Sequence, residues 1–107
     1  DGKKWNNPPA KVENVKISLK NASYSFNENK NNSYYISWDS LDSHIISTFV
    51  INYSEKENGA DSITIVSNNI LNGYVWTTSI NTGYITVYAM DYWGLNGTIS
   101  NPVQLPT

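Results

Sequence analysis

The chain has no cysteine and no arginine, and its single histidine is His44. The first absence excludes disulfides, thiolate metal sites and cysteine nucleophiles. It leaves secretion open, because a chain of 107 residues can bury one core without crosslinks. Without arginine, every basic side chain is a lysine, and the planar fork that reads phosphate and guanine is missing. A formal charge of −2 is too near neutral to capture a charged partner, so nucleic-acid binding is not expected. No apolar run nears the roughly 20 residues that span a bilayer, so membrane insertion is not expected either. No leader is visible and the chain starts at Asp1, not Met, which reads as a piece of a longer or processed protein.

What the sequence has in abundance is asparagine, with lysine, isoleucine and tyrosine. All four have AT-rich codons, so the bias points to a low-GC genome. The leading DGKKWNNPP is polar and ends in two prolines, which favours an extended linker over residues 1–8 and a domain over 9–107. Trp5 is the odd residue in that linker. Beyond it the apolar pattern has period two. Val15, Ile17 and Leu19 alternate with polar neighbours, as do Tyr34, Ile36 and Trp38, then Phe49, Ile51 and Tyr53. Ile63 and Ile65, Tyr74 and Trp76, and Ile85, Val87 and Ala89 repeat the pattern. Turn-forming clusters separate the runs: NENKNN (27–32), WDSLDS (38–43), ENG (57–59), SNN (67–69), LNG (71–73), NTG (81–83) and DYWGLNG (91–97). The Asn-Gly pairs at 58–59, 72–73 and 96–97 predict tight turns, since both residues tolerate positive φ. No stretch has helical periodicity. The expectation is an all-β chain, an antiparallel β-sandwich of six or seven strands.

Five motifs in order resemble a fibronectin type III domain from about Pro8 to Leu105. PPAKVENVKI is similar to that family's proline-led first strand, and ISW (36–38) to its second, with Trp38 as core anchor. FVINY (49–53) matches the third strand, VYAMDYWG (87–94) the penultimate strand and its turn, and SNPVQL (100–105) the last. The family often carries a tyrosine six residues before the alanine of the penultimate strand, where it forms a tyrosine corner. Here that position is Gly83, with Tyr84 one residue on; either a bulge restores the tyrosine or another residue, such as Trp76, takes its place. The resemblance implies an immunoglobulin-like sandwich of about seven strands with its termini at opposite ends. It further implies a non-catalytic module of a secreted or cell-surface multidomain protein, often a carbohydrate-active enzyme such as a glycoside hydrolase, or an adhesin. In such proteins, which the codon bias would place in a low-GC bacterium, its partners are the neighbouring domains.

Catalytic chemistry is not expected. His44 lies beside Asp42 and Ser43, but neighbours on one loop do not make a triad. The carboxylates are scattered among Asp39 and Asp42, Glu55, Glu57 and Asp61, and Asp91, and a compact sandwich has little room for the rigid cleft a glycosidase pair needs. Asp39 and Asp42 match no calcium-loop spacing, and no cofactor is implied. Asp91 is expected to accept hydrogen bonds from backbone N–H groups of its own turn. Sequons occur at Asn21, Asn31, Asn52 and Asn96, and there is no RGD.

The candidate site residues are therefore aromatic. Ile85, Val87 and Ala89 share one strand face, so Tyr84 and Tyr88 share the other, together with Val50 and Asn52 of the adjoining strand. Outward rings of this kind suit a glycan or a protein partner, although tyrosine is also simply a good strand former. Tyr92 and Trp93 sit in the turn at the strand's end. Three readings of Trp93 stand: it folds back over its own hairpin, it meets a neighbouring domain or linker, or it binds a ligand. Trp5 belongs with the second.

Overall fold

The computed structural model describes residues 9–24, 30–39, 46–68 and 73–106. Within them lie seven strands: β1 (Lys16–Tyr24), β2 (Lys30–Ser37), β3 (Ile46–Ser54), β4 (Ile63–Asn68), β5 (Gly73–Thr78), β6 (Tyr84–Asp91) and β7 (Val103–Gln104). They form two antiparallel sheets, one in the order β1-β2-β5 and one in the order β4-β3-β6-β7. No helix occurs among the described residues, so none there could cross a membrane. The all-β sandwich read from period two is the observed fold.

No described strand pairing joins the two sheets; the apolar faces between them supply the cohesion. Each fully buried aliphatic or aromatic side chain there contributes about 1.5–3 kcal/mol. Ile36 and Tyr34 of β2 face Ile51 and Phe49 of β3 and Ile85, Val87 and Ala89 of β6, with Val12 and Leu105 closing the edges. Trp38 is buried against Phe49, ring centroids 5.2 Å apart. At the other end Trp76 lies between Tyr34 and Tyr53, at 6.1 and 5.6 Å. These two aromatic clusters fix the relative direction of the sheets: the end of β2 lies over the start of β3 and the end of β6.

Three local expectations change. Asn31 and Asn32, expected in a turn, belong to β2, and Asn32 Nδ2 donates to the Tyr34 hydroxyl at 3.1 Å. At position 83, where the resemblance would place a tyrosine, the ring that packs against the chain is Tyr53 of β3. Gly83 has φ 129°, and a Cβ there would stand 2.4 Å from Tyr53 Cε1. The Tyr53 hydroxyl donates to the Thr82 carbonyl at 2.6 Å, while Leu105 N donates to the Gly83 carbonyl at 2.9 Å. That contact ties the exit of the chain to the foot of β6. The Asn-Gly pairs are also not two-residue hairpin turns where they are described. At 58–59 only Gly59 has positive φ, within a longer loop from Glu55 to Ser62. At 96–97 neither residue does; Asn96 bridges to Met90, and Gly97 is small because Pro9 lies against it, a Cβ there falling 2.7 Å from the Pro9 carbonyl oxygen. Asn72 lies outside the described residues.

Candidate interaction surface

The turn after β6 is built around Asp91. Its residue is 1% exposed, and Oδ1 accepts the N–H groups of Trp93 and Leu95, each at 2.9 Å. Asp91 N donates to the Leu95 carbonyl at 3.1 Å, and Gly94 N to the Asp91 carbonyl at 3.2 Å. Gly94 carries φ 84°, so residues 92–94 form a three-residue hairpin loop closed by a left-handed glycine. From β3, the Ser47 hydroxyl donates to the Asp91 carbonyl at 3.0 Å, tying the turn to the neighbouring strand. The expected role of Asp91 as acceptor within its own turn is observed.

This bonding faces inward and leaves the two rings outside. Tyr92 is 67% exposed and Trp93 60%. Trp93 therefore does not cover a core edge: the turn that would have to fold it back is held open by the carboxylate beneath it. Beyond the turn, the returning chain is locked to β6 by Gly97 N donating to the Ala89 carbonyl at 2.7 Å and by a reciprocal pair between Val87 and Ser100. Ser100 N donates to the Val87 carbonyl, and Val87 N to Ser100 Oγ, both at 2.9 Å. The surface is thus a hydrogen-bonded loop on a paired strand.

Tyr84 and Tyr88 do lie on the outer face of the four-stranded sheet, both half-buried. Tyr88 stands opposite Val50, and Tyr84 opposite Ser54 and Gln104. Val50 is only 3% exposed although it points outward, so this part of the face is packed, not open. Near the foot of β6, Tyr84, Thr86, Asn52 and Ile99 line a shallow groove of about 270 Å³. Asn52 Oδ1 there accepts the Thr64 hydroxyl at 2.8 Å. The groove was not foreseen, because Ile99 reaches it from the irregular segment before β7, which carries no period-two signal. Tyr84 is separated from the Tyr92–Trp93 turn by the length of β6, whereas Tyr88 lies three residues before Asp91. Trp5, His44 and Asp42 lie outside the described residues.

No group of three or more histidine, aspartate or glutamate side chains that could hold a metal occurs among the described residues. Asp39 hydrogen-bonds Asn14, Asp91 serves its turn, and Glu55, Glu57 and Asp61 are exposed around the β3–β4 loop. The described carboxylates thus show no pair facing across a cleft.

No curated protein matches the chain. A family model described as the alpha-L-iduronidase C-terminal domain, from glycoside hydrolase family 39, matches residues 34–107. The match begins inside β2 and takes in both aromatic clusters, the Asp91 turn and the Tyr53–Gly83 contact. With more than half of its length so matched, the chain belongs to the alpha-L-iduronidase C-terminal domain family.

Proposed function

We propose that this chain is a non-catalytic accessory module of a glycoside hydrolase, a fibronectin type III-like sandwich that holds a neighbouring domain in a fixed orientation. The observation that carries the reading is where the chain enters and leaves. Pro9 packs beside Gly97 at the end of the sandwich bearing the β6 turn, and Leu105 is bonded to Gly83 at the opposite end. A sandwich traversed from end to end transmits orientation, and hydrogen bonds hold it at both ends, those of Asp91 at one and those of Thr82 and Gly83 at the other. Pairing of β4 with β3 instead of β5 supports the fibronectin-like form, in which the third to fourth strands make one hairpin at the edge of the larger sheet. A secreted or cell-surface setting goes with the resemblance.

The test is a pair of assays on the parent enzyme and on this chain. The chain by itself should hydrolyse none of a panel of aryl glycosides, uronides included. Deleting residues 9–107 from the parent should lower its thermal midpoint while leaving the pH profile of its hydrolysis in place. Turnover by the chain itself would overturn the reading.

A second reading, a glycan-binding module, draws on the exposure of Tyr92 and Trp93 and on the Tyr84 groove. Saturable quenching of tryptophan fluorescence by an oligosaccharide, lost in Trp93→Ala, would favour it.

A further inference from the structure

Deepening the glycan-binding reading, on which it rests, we propose that the groove at the foot of β6 is a subsite for one uncharged pyranose residue. Its floor is a polar row laid across three strands by the sheet register. Asn52 of β3 stands opposite Thr86 of β6 on one side and Thr64 of β4 on the other. Thr64 donates its hydroxyl proton to Asn52 Oδ1 at 2.8 Å. That bond occupies the carbonyl end of the amide and leaves the two N–H donors of Nδ2 for a ligand. Both walls are fixed before any ligand arrives. Ser54, 4% exposed, donates from Oγ to the Ala60 carbonyl at 2.6 Å and accepts the Lys56 N–H at 3.1 Å, which shapes the β3–β4 loop into one wall. Ser100, 5% exposed, is bonded to Val87 of β6 and holds Ile99 beside the groove as the other. A site already formed loses little ordering entropy on binding.

The lining matches the two sides of a pyranose, an apolar C–H face and a rim of hydroxyls. Tyr84, Ile99 and Pro102 supply apolar surface, with Ile99 51% exposed. Asn52 Nδ2 and the hydroxyls of Thr86, Ser62 and Tyr84 donate and accept as sugar hydroxyls require. The volume of about 270 Å³ lies just under the ~300–1,000 Å³ of clefts for drug-sized ligands, which suits a single ring. Charge selects an uncharged sugar. Lys56 and Glu57 stand on the same wall with opposite sign. No arginine exists in the chain to grip a carboxylate or sulfate with two parallel bonds.

The test follows the amide NMR spectrum of the chain during titration with sugars. The probes are neutral oligosaccharides of glucose, galactose, mannose and xylose, with a galacturonate oligosaccharide as the charged comparator. At least one neutral sugar should give saturable shifts centred on the amides of residues 52, 86 and 99. Thr86→Val should raise its Kd roughly fivefold at an unchanged urea midpoint, since one hydroxyl is lost, and Tyr84→Ala should abolish saturation. Val75→Ala is the control: it removes an exposed side chain from the opposite sheet and should leave Kd as it was. Saturable binding with Kd unchanged in both Thr86→Val and Tyr84→Ala overturns the groove assignment. Loss of that same binding in Trp93→Ala would then move the glycan site to the turn and keep the glycan reading. Saturation by the galacturonate alone overturns the assignment to an uncharged sugar. No saturation by any sugar of the panel defeats the proposal and the glycan reading together, and leaves the accessory-module reading standing.

Discussion

Replacing Asp91 with alanine asks how much one buried carboxylate contributes to the turn that presents Tyr92 and Trp93. Its Oδ1 accepts two backbone N–H groups at 2.9 Å, one from Trp93 and one from Leu95. Hydrogen bonds to a charged group contribute about 1.5–3 kcal/mol each, so losing both removes about 3–6 kcal/mol. Against this, Oδ2 is buried without a partner among the described residues, and deleting an unsatisfied buried oxygen recovers about 1–3 kcal/mol. Taking low with low and high with high, the net loss expected for Asp91→Ala is about 2–3 kcal/mol, a large part of the stability of a small domain. In urea the midpoint should fall while the slope of the transition stays constant. Amide exchange at Trp93 and Leu95 should accelerate beyond what the global loss accounts for, because those two donors lose their acceptor outright. Asp91→Asn keeps an acceptor at Oδ1 and should lose only about 1 kcal/mol. A loss below about 0.5 kcal/mol for Asp91→Ala, or equal losses for both variants, would refute the assignment of the turn to this carboxylate.

Three further outcomes follow from the packing. Trp38→Ala should cost about 3–5 kcal/mol in chemical denaturation; because Trp38 Nε1 is buried without a partner among the described residues, Trp38→Phe should cost clearly less. A loss below about 1 kcal/mol for the alanine variant would remove Trp38 from the core. Gly83→Ala should destabilise by about 1–3 kcal/mol or more, since its Cβ meets the Tyr53 ring at positive φ; an unchanged melting temperature would mean Tyr53 does not pack there. Burial first, then the charge of Glu55 and of Tyr34, raises the Tyr53 phenol above its usual value. The folded state then holds this proton more tightly than the unfolded chain does, so stability is retained below about pH 10 and lost as pH rises through the folded value. Wild type should lose more stability than Tyr53→Phe across that alkaline window, and equal losses in a pH series of urea melts would count against this environment.

Much of the fold was legible because period two is a local property. In Ile85, Val87 and Ala89, alternation alone assigns one face to the core, and all three are fully buried. Asp91 was equally legible, since an aspartate opening a turn bonds backbone groups two and four residues ahead. Gly83 shows the limit. The sequence shows a glycine there, but the ring that requires it comes from Tyr53, thirty residues earlier, on a strand whose nearness to Gly83 exists only once β3 pairs with β6. Gly97 is a similar case: it read as half of a turn, and what requires a glycine is Pro9, from the far end of the chain. Local turn statistics do not contain either contact.

The sequence by itself determined that this is an all-β sandwich, which face of β2 and of β6 is buried, and that no cysteine or arginine chemistry is available to it; it did not determine that Leu19 and Ile63, alternating in the same way, stay exposed. Those conclusions rest on composition and on side-chain alternation, which every residue carries with it. Only the tertiary structure decided that Tyr92 and Trp93 stay outside the core and that they stand where the chain enters. Exposure and placement depend on which distant segments fill the space beneath a turn. Here Asp91 and Ser47 fill it, and the two rings are left facing outward.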